Sequence, residues 1–279
     1  MKQQISQAEI MVCASVFDPL SARMAEEIGF KLGILGGSVA SLISLGAPDI
    51  NLLTLTELAA HAKRVCQASS LPVIVDGDNG YGNALNVMRT IEELEYAGAS
   101  LVTIEDTILH CRYEEPALSQ ISLEEAELKL EAAVTARKDQ DLLIFARTHA
   151  LSKGDNQDML RRIRAYAETG IDGICIFGIS DKETLREVSN ATNLPIMLIS
   201  YGNPDLGTEA ELIEQGVRIR LAGHQAYEES VKASYQSLLK LHLGEKYQDN
   251  DINAKALIKR LSNTEEKNNL TQKYIYPNS

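Results

Sequence analysis

No cysteine in this chain stands two or three residues from another; Cys13, Cys66, Cys111 and Cys175 are widely scattered. That spacing excludes a zinc ribbon and a thioredoxin-type motif, which both need a close pair. Three of the four lie in apolar surroundings and read as small core residues. Positive charge is also short. Lys and Arg number 27 against 39 Asp and Glu, giving a formal charge of -12 and a pI near 5.0. A nucleic-acid partner is excluded on this ground, because phosphate binding needs a basic face, and so is an anionic membrane. An anionic substrate is not excluded, since one arginine and one metal ion can reverse the local field. No apolar run is long enough to cross a bilayer. The opening MKQQISQAEI lacks the apolar stretch of a signal peptide, so a cytoplasmic protein is expected.

What the chain does have is a series of short apolar runs: VCASVF (12–17), LGILGG (32–37), PVIVD (72–76), LVTIED (101–106), LLIFAR (142–147), GICIFG (173–178), PIMLIS (195–200) and VRIRLAG (217–223). Most are rich in Val and Ile and too short for buried helices. Near-continuous apolarity suits strands buried on both faces of a parallel sheet. Between the runs lie helical signals. DPLSARMAEEIG carries Pro19 near its first turn. TLTELAAHAKRVCQASS has helical spacing, and ALNVMRTIEELEYAG is closed by Gly98. SLEEAELKLEAAVTARK opens with Ser122 and Glu125, a capping-box pattern. DNQDMLRRIRAYAETG closes at Gly170, and SDKETLREVSN opens with Ser180 or Asp181 as cap. DLGTEAELIEQG and HQAYEESVKASYQSLLKLH complete the set.

Eight strands alternating with eight helices predict an α/β fold, a (β/α)8 TIM barrel, for which roughly 250 residues are typical. An open doubly wound sheet is the alternative, but it usually shows a glycine-rich turn after its first strand, and VFDPLSAR is not one. Residues 1–243 are therefore read as the catalytic barrel. Residues 244–279 form a polar C-terminal extension, with a short helix expected in DINAKALIKRLSN that packs on a neighbouring subunit or stays partly disordered.

In such barrels the catalytic groups gather at the carboxyl ends of the strands. Reading past each run gives Gly36, Gly37 and Ser38, then Asp76 and Asp78, Glu105 and Asp106, Arg147 and Thr148, and finally Gly223 and His224. Each has a plainer reading. Asp78, Glu105 or Asp106 could cap the next helix. Arg147 could form a surface ion pair worth little. His224 could be a satisfied structural histidine, and the glycines a simple turn. None of these explains why the polar groups fall at the same end of successive strands. The carboxylates suit Mg2+ or Mn2+, which take oxygen ligands and retain waters. Zinc suits them less, because no His/Cys cluster is near. An arginine opposite the metal would hold a substrate carboxylate by paired hydrogen bonds. The residues by themselves lead to a divalent-metal enzyme acting on a small carboxylic acid.

The segments GGSVAS, DGDNGYGNALNV and TIEDT together resemble the isocitrate lyase/phosphoenolpyruvate mutase superfamily, most closely its oxaloacetate decarboxylase branch. The resemblance runs from ASVFDPLSAR at 14–23, through LGAPDINLLTLTELA, FARTHA, GIDGICIFGI and LISYGNP, to GHQAY at 223–227. It implies a (β/α)8 barrel, commonly a homotetramer that exchanges a C-terminal helix. It implies Mg2+-dependent decarboxylation of oxaloacetate to pyruvate and CO2 through a metal-stabilised enolate, with no organic cofactor. By the same resemblance Asp76 is the direct metal ligand, and Asp78 and Glu105 hold the metal largely through water. Gly37 and Ser38 belong to the turn that takes the substrate carboxylate, Asp49 matches a further acidic position, and Arg147 and His224 are the substrate-binding and catalytic pair. The chain departs from the branch in two places. It reads DGDNGYGN where DADHGYGN is usual, through Gly77 and Asn79, and ILHCRYEEP follows TIEDT where Leu-Leu-Pro is frequent. Lyase members carry a Cys-Gly-His loop in this region. Cys111 has no Gly-His after it, so a C–C lyase acting on a 2-methylmalate or methylisocitrate type of substrate is the alternative rather than the main reading.

Overall fold

The structure, a computed structural model, describes residues 1–5, 7–108, 119–149, 156–245, 254–261 and 264–274. Its chain contacts define two compact units, Met1–His224 and Gln225–Ser279. The first contains nine short strands: β1 (Met11–Val12), β2 (Ala14–Ser15), β3 (Gly33–Leu35), β4 (Val73–Asp76), β5 (Leu101–Glu105), β6 (Leu143–His149), β7 (Gly173–Phe177), β8 (Ile196–Ile199) and β9 (Val217–Leu221). All pair in parallel, in the order β1-β9-β8-β7-β6-β5-β4-β3-β2. β1 and β2 are two halves of one run, broken only at Cys13, whose amide still donates to the Arg220 carbonyl at 2.9 Å. One half pairs with β9 and the other with β3, so the sheet closes. The expected α/β barrel is what forms.

Alternation along the strands separates two apolar layers. Ile34, Ile74, Leu101, Leu143, Phe145 and Ile219 fill the barrel interior. Val73, Val75, Val102, Ile144, Ile174 and Leu198 face outward beneath the helices. The helices of the first unit are α1 (Lys2–Ile5), α2 (Pro19–Ile28), α3 (Gly37–Leu45), α4 (Leu55–Cys66), α5 (Ala84–Ala97), α6 (Leu123–Ala136), α7 (Gln157–Ala167), α8 (Lys182–Ala191) and α9 (Glu209–Glu214).

Local chemistry explains most of their ends. Asp18 and Ser21 form a reciprocal capping box at α2, with Pro19 in the first turn and Gly29 left-handed at its end. Asp181 rather than Ser180 caps α8. At α6 only half of the expected box forms, with the Glu125 amide donating to Ser122 Oγ at 3.1 Å. Asn83 caps α5, which removes the capping role considered for Asp78. Helix α3 is an addition to the expected pattern, since GGSVAS reads as a turn. It has no polar N-cap side chain to announce it.

The second unit holds α10 (Gln225–His242), α11 (Ala254–Leu261) and α12 (Thr264–Tyr274). Helix α11 covers most of DINAKALIKRLSN. No residue of α10 is buried.

Candidate active site

Alternation also selects which strand-end side chains point inward. Asp76 shares the face of Ile74, Thr103 and Glu105 share that of Leu101, and Arg147 shares that of Leu143 and Phe145. Asp106, one residue past Glu105, must point the other way. It does so. Its carboxylate accepts from Tyr166 Oη at 2.7 Å, Thr148 Oγ1 at 2.8 Å and Gln120 Nε2 at 3.1 Å, with Arg162 at 3.4 Å. It is a buried anchor between sheet and helix layer. Register then brings the inward groups together across strands, pairing Asp76 with Thr103 and Glu105 with Arg147.

The result is a cavity of about 120 Å³ at the carboxyl ends of the strands, lined by Gly36, Gly37, Ser38, Asp49, Asp76, Thr103, Arg147, Cys175, Tyr201 and His224 with an apolar wall of Met197, Ile199 and Leu221. Arg147 Nη1 donates to Asp76 Oδ2 at 2.5 Å, and its Nε lies 3.3 Å from Glu105 Oε2. The guanidinium also lies 5.5 Å from the centre of the Phe177 ring. It is therefore a half-buried member of an acidic cluster, not a surface ion pair. Asp76 Oδ1 accepts from Thr103 Oγ1 at 3.1 Å and from the Asp78 amide at 3.3 Å. Asp78 has a left-handed backbone, φ 48°, and its Oδ2 accepts from Tyr81 Oη at 3.0 Å. A Cβ on Gly37 would sit 3.1 Å from Asp78 Oδ1, 3.5 Å from Asp76 Oδ2 and 3.6 Å from Asp49 Oδ2. Three carboxylates thus converge on one glycine at the start of α3.

The charges oppose one another strongly. Burial works to raise the Asp76 pKa, but the Arg147 guanidinium and the hydrogen bonds from Thr103 and the Asp78 amide hold it below the ordinary range. Burial pushes Asp78 well up, and the charges of Asp76, Glu105 and Asp49 add to it. Glu105 is raised by burial against the pull of Arg147, and Asp49, at the solvent-exposed rim, is raised by partial enclosure and by Asp76. The Cys175 thiol is pushed up to about 12, chiefly by burial, so it contributes a neutral wall. Such an excess of carboxylates over one arginine suits a divalent cation. Among the described residues, no three His, Cys, Asp or Glu side chains close tightly enough to hold an ion by themselves. The arrangement fits an ion such as Mg2+, which keeps several waters and takes one or two protein carboxylates.

Beside these carboxylates, the amides of Gly37, Ser38 and Val39 lie in the first turn of α3, whose N-cap, Gly36, offers no side chain to cap them. A helix start of this kind favours a carboxylate. His224 Nδ1 lies 2.7 Å from Ser15 Oγ, and a Cβ on Gly36 would sit 2.9 Å from His224 Nε2. The structure therefore brings Gly37, Ser38, Asp49, Asp76, Arg147 and His224 to one cavity, with Asp78 and Glu105 against it. Sequence reasoning missed Ser15, Tyr81, Thr103 and Tyr201. Thr103 was accessible by alternation, being two residues before Glu105. Tyr201 carries no such signal: it reaches the cavity from a left-handed position, φ 46°, after β8. Cys111 and its loop lie outside the described residues.

The two departures from DADHGYGN have local explanations. Asn79 Oδ1 accepts from the Tyr81 amide at 2.9 Å, a turn-forming contact. A Cβ on Gly77 would meet the Thr103 carbonyl oxygen at 2.7 Å.

Fold and polar cluster define the class first: a closed parallel α/β barrel with its charged groups at the strand ends. A family model described as phosphoenolpyruvate phosphomutase matches residues 1–242, and the chain belongs to that family. It is 49% identical over 225 residues to a protein of Pseudomonas fluorescens named oxaloacetate decarboxylase 1, covering 81% of this chain and 78% of the relative. A Chromohalobacter salexigens protein named oxaloacetate decarboxylase is 47% identical over 234 residues, 84% of this chain and 81% of the relative. Among solved structures, 2,3-dimethylmalate lyase superposes with a TM-score of 0.85 at 26% identity, covering 98% of this chain and 96% of that one. A phosphonopyruvate hydrolase in complex with oxalate and Mg2+ gives 0.86 at 26% identity, over 98% and 97% of the two chains. The resemblance read from the sequence is borne out at the level of the family.

Proposed function

We propose that this chain decarboxylates oxaloacetate to pyruvate and CO2 with Mg2+, or Mn2+ in its place, and without an organic cofactor. The observation that carries the reading is the juxtaposition in one cavity of the carboxylates facing Gly37 with Arg147 and the open start of α3. The near-50% identity to relatives named for this reaction supports the substrate. The cavity is well under the roughly 300–1,000 Å³ of a drug-sized pocket, which suits a small acid.

In this reading Asp76 is the direct metal ligand, and Asp78 and Glu105 hold metal-bound water. When bound, the ion supplies Lewis-acid polarisation of the keto group. The first-turn amides of α3, Ser38 and Arg147 hold the carboxylate next to that keto group. Asp49 closes the rim. The bond between C3 and the distal carboxylate breaks, CO2 leaves, and the electron pair passes to the keto oxygen as an enolate. His224, oriented by Ser15, then delivers the proton to C3. A homotetramer built with the C-terminal residues, 244–279 included, is part of the same proposal. It is supported by the exposure of Tyr235, Leu238 and Leu241 on α10. So is a cytoplasmic location. Among the described residues no helix is long and apolar enough to cross a membrane.

The test is pyruvate release from oxaloacetate in Mg2+, corrected for the metal-catalysed background, beside a panel of 2-hydroxy diacids. Turnover of oxaloacetate that stops with EDTA supports the proposal. Cleavage of a 2-methylmalate or methylisocitrate type of substrate with no gain over background on oxaloacetate would replace it with the C–C lyase reading.

A further inference from the structure

Helix α3 carries serines at 38, 41 and 44. A spacing of three sets them along one side of the helix. Ser38 lines the candidate active site. Ser41, itself buried, donates from Oγ to the Pro48 carbonyl at 3.2 Å, one residue before Asp49. Ser44 Oγ lies 3.1 Å from Nδ1 of His61 on α4. The His61 ring is only 3% exposed, and its Nε2 lies 2.8 Å from the Phe17 carbonyl oxygen. Burial lowers the His61 pKa and favours the neutral ring. A carbonyl only accepts, so Nε2 carries the proton and donates to it. Nδ1 is then the acceptor, and Ser44 Oγ donates.

These contacts close a ring. Phe17 stands two residues after Ser15, whose Oγ lies 2.7 Å from His224 Nδ1. The His224 ring lies in turn against Gly36, where a Cβ would sit 2.8 Å from its Cε1. Gly36 is the N-cap of α3, and Ser44 lies in the last turn of the same helix. The start of α3 thus meets His224 directly, and its end is tied back to the segment that holds His224. Apolar packing by itself does not aim this helix. It is non-directional, and Leu42, Ile43 and Leu45 of α3 are exposed. Helix α4 is the firmer support, with Leu58, Ala62 and Val65 buried and a capping box of Thr54 and Glu57.

We propose that His61 is a positioning residue of the active site: it locks the end of α3 to the Phe17 carbonyl, and so aims the first-turn amides of α3 at the substrate carboxylate beside His224. This rests on the reading of that turn as the carboxylate site. His61 does not line the cavity and acts only through the two elements it joins.

The experiment is a calorimetric titration of the full chain with oxalate in saturating Mg2+, for wild type, Ser44→Ala, His61→Leu and the Ser44→Ala/His61→Leu double variant. Oxalate has the same adjacent pair of oxygens as the keto-acid end of oxaloacetate. A Mn2+ titration without oxalate and a thermal melt accompany it. Ser44→Ala is expected to weaken oxalate binding about 2–10-fold, the net worth of one hydrogen bond, and His61→Leu at least as much. Both should bind Mn2+ as wild type. Ser44 is exposed, so Ser44→Ala should also melt close to wild type, and it carries the test even if His61→Leu folds poorly. The double variant should bind oxalate no more weakly than His61→Leu. Equal oxalate affinity of Ser44→Ala and wild type overturns the inference. So does an equal loss of Mn2+ affinity, which would mark general damage, and so does a full further loss on adding Ser44→Ala to His61→Leu. Wild type that binds Mn2+ but no oxalate instead removes the carboxylate site, and the inference with it.

Discussion

In the proposed reading Asp76 carries two separable duties, pairing with Arg147 and holding the metal, and its replacement by Ala or by Asn pulls them apart. Asp76→Ala removes the acceptor of Arg147 at 2.5 Å, of Thr103 at 3.1 Å and of the Asp78 amide at 3.3 Å. Among the described residues the guanidinium, its side chain 20% exposed, then keeps Glu105, at 3.3 Å, as its one ion-pair partner. Breaking a buried ion pair from one side costs about 3–5 kcal/mol, and the surviving Glu105 contact puts the loss near the lower end. At roughly 2–4 °C per kcal/mol for a chain of this size, Tm should fall by about 6–12 °C. Asp76→Asn keeps the shape. With its oxygen toward Arg147, its amide can donate to Thr103 but faces the Asp78 N–H, donor against donor. One compromised hydrogen bond costs about 1–2 kcal/mol, so the fall should be only a few degrees. On the proposed assignment both variants lose the direct metal ligand, so both should lose Mn2+ binding and metal-dependent turnover. Thermal melts without metal, a Mn2+ titration and the pyruvate assay measure the two duties independently. Asp76→Asn that binds Mn2+ as wild type would refute the ligand assignment. Asp76→Ala melting with wild type would refute the energetic account of the Arg147 pair.

Three further outcomes are expected. Gly36→Ala places a methyl group 2.8 Å from His224 Cε1, so the ring must move. Turnover should drop well below wild type while Mn2+ affinity holds; unchanged kcat would take His224 out of the proton transfer. Asp78→Asn should stabilise the metal-free protein at neutral pH and weaken metal binding. The Asp78 pKa is raised in the folded state by burial and by Asp76, Glu105 and Asp49. Its contribution to stability is therefore present at acid pH and lost as pH rises through the raised value. Asn also accepts the left-handed backbone at this position. Melts of the wild type that are no lower at neutral than at mildly acid pH, relative to the variant, would contradict this. Gly77→Ala should cost about 1–3 kcal/mol, the usual penalty of overpacking. Its Cβ would meet a backbone oxygen that has little freedom to move, and an unchanged denaturation midpoint would show that β4 and β5 part more easily than their pairing suggests.

Alternation and length made the strands legible. Runs such as PVIVD and GICIFG are too apolar for a half-exposed sheet and too short for helices, and all eight became strands or pairs of strand halves. Helix ends with side-chain chemistry, such as Asp18 with Pro19 before α2, were equally legible. Helix α3 was not, because Gly36 offers no side chain as a cap. For the site, strand ends marked Asp76, Glu105 and Arg147 as neighbours-to-be. The same strand-end reading placed Asp106 beside them, and only the alternation of the sheet turns it away into the helix layer.

What the sequence by itself determined is the parallel α/β barrel and the acidic character of its mouth, because these follow from periodicity and residue type. What only the tertiary structure decided is how the charges are shared. Asp76 and Glu105 compete for one guanidinium, Ser15 holds His224, and Tyr81 engages Asp78. Tyr81 is three residues from Asp78, but Arg147 is 71 residues from Asp76 and His224 is 209 from Ser15, and nothing in local spacing encodes those distant pairs. Their meeting depends on strand register and on closure of the sheet between β1 and β9, which are properties of the folded chain.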